Sequence, residues 1–260
     1  MTAHSDRPDL PGAPLPIEPV LIHVQHDRVA WLRLNRPRSA NALNEAMQTG
    51  LVAALRAADR DPETVAVVLC AAGGRVFSAG ADLKEFSDRP ALEARRLRRA
   101  LLRDTVLALC DFGKPLVACV EGKAVGGGAM LALLADEIHL GERASLSMPE
   151  IGLGSASPLA LSIVRARAGQ VAAQRMVQKG ESIDASLAVQ LGLADRVSAL
   201  SSLEAGAGEA ARDLGRVSLR AYRQNRRWMY RALRSEILAA TGEFSDWIDQ
   251  DNEGASGDGA

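Results

Sequence analysis

The chain has 260 residues, 47% apolar and 24% charged, with a net charge of −1. That length fits one large α/β domain, or one domain with a helical extension, and such a domain buries roughly 70–75% of the surface its unfolded chain exposes. The near-neutral balance gives no electrostatic reason to expect nucleic acid or a membrane surface as a partner.

Residues 1–19 contain five prolines and read as a flexible arm. They hold no apolar core of a leader, so no secretory signal is expected. Leu21–Gln25 and Val29–Leu34 flank His26-Asp27-Arg28, a pattern that predicts a β-hairpin. Asn35-Arg36-Pro37-Arg38 breaks it. Asn41 or Asn44 caps a helix running to about Asp59, whose Met47, Leu51, Ala54 and Leu55 fall at helical spacing. Asp61-Pro62 ends that helix, and Val65–Ala71 reads as a fully buried strand.

Gly73–Asp82 reads as a glycine-punctuated loop. Residues 91–112 are predicted helical, with Arg95, Arg96, Arg98, Arg99 and Arg103 forming a solvated face. Leu116–Val120 is a second buried strand. Gly126-Gly127-Gly128 opens an apolar helix over Ala129–Ala135, and Glu137–Leu140 and Ser145–Met148 are short strands. Most of the remainder reads as helix, broken near Gly169, Gly180 and Gly192. The tail from 250 to 260 is acidic and rich in Gly and Ser, a composition expected to be disordered. Strands come first and helices last, which predicts an α/β core over 20–200 followed by a helical segment over 201–249.

Cys70, Cys110 and Cys119 form no CxxC pair and read as buried thiols of a reducing compartment. The longest apolar run, Val65–Ala72, is far short of the ~20 residues a bilayer requires. A soluble, cytoplasmic protein is the expectation.

Two glycine-containing turns stand out as candidates for chemistry, although a glycine triplet before a helix taken alone reads more often as packing or turn. One is Phe77-Ser78-Ala79-Gly80-Ala81-Asp82-Leu83-Lys84, after a buried strand. The other is Gly122-Lys123-Ala124-Val125-Gly126-Gly127-Gly128, between a strand and a helix. Glycine lets backbone approach a ligand, and a helix start presents unpaired N–H groups. Together the turns offer donors to one developing oxyanion. Neither turn is the dinucleotide G-x-G-x-x-G or a P-loop, and Ser155 misses the nucleophile elbow.

The motifs in order resemble the crotonase (enoyl-CoA hydratase/isomerase) family. They are Asn35-Arg36-Pro37, Ala40-Asn41-Ala42-Leu43, Ser78–Lys84, Lys114-Pro115, the glycine triplet, Ala135-Asp136 and Pro149-Glu150-Ile151-Gly152-Leu153-Gly154. The resemblance implies a spiral of ββα turns with a C-terminal helical trimerisation region, and a homotrimer or dimer of trimers. It implies an acyl-CoA substrate held by the backbone N–H groups of Ala81 and Gly127, with Ala79 and Gly126 in the same turns. Arg38 and Lys84 stand where the family often places bases near CoA phosphates, although each also reads as a solvated surface charge; the arginine face of 91–112 is a further, less favoured site for those phosphates. No metal or redox cofactor is implied, because CoA is part of the substrate.

Hydratases of the family commonly use two glutamates. In this chain the first position is Met130 and the second is Glu150. One carboxylate suffices to shuttle a proton along a 3-enoyl thioester, whereas hydration must both deprotonate water and protonate a carbon. Pro158, eight residues after Glu150 and followed by apolar residues, resembles the isomerases. Isomerisation is therefore favoured. Hydration by Glu150 alone, with or without coupled C–C cleavage, and a degenerate acyl-CoA-binding or assembly subunit remain as alternatives. Met130 and Pro158 are expected to line the site and raise the Glu150 pKa.

Overall fold

The computed structural model describes residues 15–17, 21–242, 244–247 and 249. The remainder of the expected arm and the 250–260 tail lie outside the described residues. In chain order the strands are β1 (Leu15–Ile17), β2 (Leu21–His26), β3 (Val29–Leu34), β4 (Ala66–Ala71), β5 (Val76–Ser78), β6 (Leu116–Val120), β7 (Lys123–Val125), β8 (Glu137–Gly141), β9 (Ser145–Ser147), β10 (Ile183–Asp184) and β11 (Arg196–Ser198). The helices are α1 (Glu45–Arg60), α2 (Ala91–Asp111), α3 (Gly127–Leu133), α4 (Pro158–Ala173), α5 (Ala185–Gln190), α6 (Leu200–Leu214) and α7 (Leu219–Thr241).

The described strands form two sheets. Seven lie in the order β1-β2-β3-β4-β6-β8-β11, and four in the order β10-β9-β7-β5. The β2–β3 hairpin turns at Asp27 and Arg28, both left-handed at φ +50° and +63°, which matches the twist of the strands it joins. From β3 onward the large sheet is parallel. β4 and β6 are buried along their whole length, as strands covered on both faces must be.

Helix α1 starts where Asn44 accepts a hydrogen bond from the Met47 N–H at 3.0 Å. Its Met47, Leu51, Ala54 and Leu55 are buried against one face of the sheet. Asn41, the other candidate cap, does something else. It is fully buried, its side chain donates to the Ala72 and Val76 carbonyls and accepts from the Arg36 N–H, and it ties the first motif to the glycine loop.

Two sequence expectations need correction. Gly73–Asp82 and Gly122–Gly128 are not wholly loop, since β5 and β7 inside them pair in parallel and build the second sheet. The helical stretch after residue 158 is also interrupted by β10 and β11, which extend the two sheets. Within the segment expected to serve assembly, α6 covers the second face of the large sheet, packing Leu203, Ala207 and Ala211 against Trp31, Val68, Cys70, Val117 and Cys119. Helix α7 is tied to the core by buried Arg226. Its guanidinium donates to the Leu109, Phe112 and Leu134 carbonyls, pairs with Asp136 and stacks 4.5 Å from the Tyr230 ring centre.

Candidate active site

The two glycine turns interlock. A Cβ placed on Gly80 would lie 2.8 Å from the Val125 carbonyl oxygen and 3.3 Å from the Gly127 nitrogen. One placed on Gly128 would lie 2.6 Å from the Ser78 carbonyl oxygen. Only hydrogen fits at either contact. Ser78 stitches the first turn from below. Its hydroxyl donates to the Asn41 carbonyl at 2.8 Å and accepts from the Gly80 N–H at 3.2 Å.

The backbone then leaves two amides open. Leu43 and Ala81 form a parallel bridge, in which the Leu43 N–H donates to the Gly80 carbonyl and the Asp82 N–H donates to the Leu43 carbonyl. Such a bridge uses the groups on either side of Ala81 and turns the Ala81 N–H to the opposite side. Gly127 is the first residue of α3, so its N–H has no partner inside the helix. The neighbouring Gly126 N–H is spent on the Ser147 carbonyl at 2.9 Å.

The register of the second sheet delivers the carboxylate. β9 runs parallel to β7 with Val125 opposite Ser147, so the chain beyond β9 passes beside the glycine triplet. Pro149–Leu153 forms a 3₁₀ turn carrying Glu150. A Cβ on Gly126 would meet Glu150 Oε1 at 2.7 Å. Glu150 Oε2 is buried without a hydrogen-bond partner among the described residues. Burial pushes the Glu150 carboxyl above the ordinary glutamate value, against a smaller opposing effect of its own backbone N–H.

A model of the enoyl-CoA hydratase/isomerase family matches residues 25–249. The chain belongs to that family. It is 39% identical over 183 residues to a 2,3-dehydroadipyl-CoA hydratase of Escherichia coli, covering 68% of each chain. It is 34% identical to a probable enoyl-CoA hydratase of Rhizobium meliloti, covering 86% of this chain and 85% of the relative. In fold it is similar to a probable enoyl-CoA hydratase of Mycobacterium tuberculosis, with a TM-score of 0.83 at 24% identity over 91% of this chain and 98% of that one. The crotonase fold and its C-terminal helical region are thus those of an enoyl-CoA hydratase/isomerase family enzyme.

The expected site residues differ in exposure. Ala79 and Ala81 are exposed on the first turn, while Gly126, Gly127 and Met130 are buried around the start of α3. Arg38 and Lys84 are exposed, with no side-chain ion pair among the described residues. Pro158 is half-buried as the first residue of α4. Asp82 is engaged as an anchor, accepting from Arg36 at 2.9 Å and from the Lys84 N–H at 3.2 Å. Tyr222 and Tyr230 lie beside Leu133 and Leu134, at the opposite end of α3 from Gly127, and Trp228 is exposed.

Sequence reasoning missed Leu43 and Leu102. A Cβ on Gly127 would stand 3.2 Å from Leu43 Cδ1 and 3.3 Å from Leu102 Cδ1, so the two side chains pack against its α-carbon. Leu43 lies in a quoted motif, but its direction depends on the bridge to Ala81. Leu102 has no local signal, because only the packing of α2 brings it there. Among the described residues, no cluster of His, Cys, Asp and Glu has the grouping of a metal site, and no helix is long and apolar enough to cross a membrane.

Proposed function

We propose that this enzyme moves the double bond of a 3-enoyl-CoA to the 2-position, with Glu150 as the one proton carrier. The Glu150 carboxylate takes a proton from C2, and the electron pair flows into the thioester carbonyl. The Ala81 and Gly127 N–H groups hold the resulting oxyanion. Glu150 then returns the same proton to C4, leaving the conjugated 2-enoyl thioester. Each such donor is typically worth about 10²–10³ in rate, because it strengthens as charge develops.

The observation that carries this reading is the contact of the Glu150 carboxylate with Gly126, one residue before the open Gly127 amide. Desolvation of that carboxylate supports a proton-exchange role, since a general base works best with a pKa drawn toward the working pH. Met130, buried on α3 three residues after Gly127, cannot transfer a proton. CoA enters as part of the substrate, with Arg38 and Lys84 proposed to face its phosphates. The family resemblance supports a homotrimer or dimer of trimers, which sedimentation would establish.

Hydration by Glu150 alone is the second reading. The hydratase names of the relatives at 39% and 34% identity favour it. Ultraviolet absorbance of the conjugated thioester separates the two. A rise with a 3-enoyl-CoA establishes isomerisation, and a fall with crotonyl-CoA establishes hydration. Tight acyl-CoA binding with neither change would instead identify a non-catalytic binding subunit.

A further inference from the structure

Helix α2 is unevenly anchored. From Ala91 to Asp104 it buries only Ala94, whereas its second half buries Thr105, Val106, Leu109 and Cys110. Yet the weakly anchored half carries Leu102, which packs against the α-carbon of Gly127. Apolar burial is the main non-local force holding a helix in place, so this half needs another restraint.

The C-terminal segment supplies one. Asp249, 1% exposed, places Oδ1 3.1 Å from Arg99 Nη2 and 3.5 Å from Arg95 Nη1, and Oδ2 3.2 Å from Arg96 Nε. Arg99 also donates to the hydroxyl of buried Ser245. One carboxylate therefore gathers three guanidinium groups that would otherwise repel one another. Arg95, Arg99 and Leu102 follow at spacings of four and three residues, so they lie along one side of the helix. The arginine face read from sequence as solvated is, in its first turns, a docking face for this chain's own C-terminal segment.

We infer that Asp249 is a positioning residue, clamping the C-terminal segment onto the first half of α2 and so holding Leu102 against Gly127, the residue whose amide the proposed mechanism uses. The clamp consists of these ion pairs; its effect on turnover rests on the proposed role of the Gly127 amide.

Two readouts test it on the full chain. Trp247, 55% exposed, lies in the clamped segment and reports it once exposed Trp228 is replaced by Phe. Asp249→Asn should raise acrylamide quenching of Trp247 about twofold and lower kcat about tenfold, a loss of the size that misplaced groups produce. Arg99→Gln should do the same more weakly, which guards against a folding defect peculiar to one variant. Leu102→Ala should lower kcat too, and combining it with Asp249→Asn should add little, because both act at one contact. Unchanged quenching would overturn the clamp. Raised quenching with wild-type kcat would overturn its positioning role. If the wild-type enzyme turns over no enoyl-CoA, the functional reading fails separately. The affinity for a saturated acyl-CoA, measured by calorimetry, then takes the place of kcat, with a loss of about threefold expected for Asp249→Asn and an unchanged affinity counting against it.

Discussion

Glu150 Oε1 rests against the α-carbon of Gly126, so close that a methyl group there would stand 2.7 Å from the oxygen. Gly126 is also held at φ +51° and ψ −122°, a conformation open to glycine alone. Contact and conformation together fix where the carboxylate sits relative to the Gly127 amide.

Gly126→Ala should therefore harm both chemistry and stability. Backbone strain of this kind costs about 1–3 kcal/mol, and the new methyl group pushes the carboxylate away. Turnover should fall by about 10²-fold or more, as expected when a reacting group shifts by about 1 Å. Steady-state kinetics and thermal unfolding of the one variant check both effects. Wild-type turnover would show that Glu150 is not held by this contact.

Glu150→Gln should abolish most turnover, by about 10²–10⁴-fold, while acyl-CoA binding survives. The pH dependence has a definite sign. Burial raises the carboxyl pKa in the folded state, so the base is lost by protonation at a pH above the ordinary glutamate range. Activity should fall on the acid side there. The stability that the folded state gains from the protonated group is full below the unfolded pKa and is lost as pH rises through the folded one. The Gln variant should therefore gain thermal stability relative to wild type as pH rises. A constant difference in Tm between pH 4 and 8 would speak against a desolvated carboxylate.

Met130→Glu places a second carboxyl on α3 at a position only 2% exposed. The buried polar group should cost about 1–3 kcal/mol, read as a lower Tm. If Met130 stands where a second proton carrier would act, the ratio of hydration to isomerisation should rise in the folded variant. An unchanged ratio would place Met130 outside the reaction.

Arg226→Met should destabilise by about 3–5 kcal/mol, because it leaves Asp136 without its cation and the Leu109 and Phe112 carbonyl oxygens without this donor, while Leu134 keeps only the Tyr230 hydroxyl. Denaturant melts measure this loss. A cost below about 1 kcal/mol would mean that water replaces the guanidinium, and α7 is then not fixed by this residue.

Much of the architecture was legible because it depends on local signals. The hairpin around Asp27-Arg28, the cap at Asn44, the apolar spacing of α1 and the unbroken apolar runs of β4 and β6 are written in neighbouring residues. The ordered motifs identified the family and singled out Ala81, Gly127 and Glu150. The sequence by itself could not say that β5 and β7 are strands. Each has three residues and exists only through pairing with distant segments, and three residues carry too little periodicity to be read. It could not place Leu102 beside Gly127 or Asp249 among the arginines of α2, because those contacts join residues 25 and 150 or more positions apart. Tertiary structure also decided the state of Glu150. A residue type names a proton carrier, but only packing takes its carboxylate out of water and aims it at Gly126.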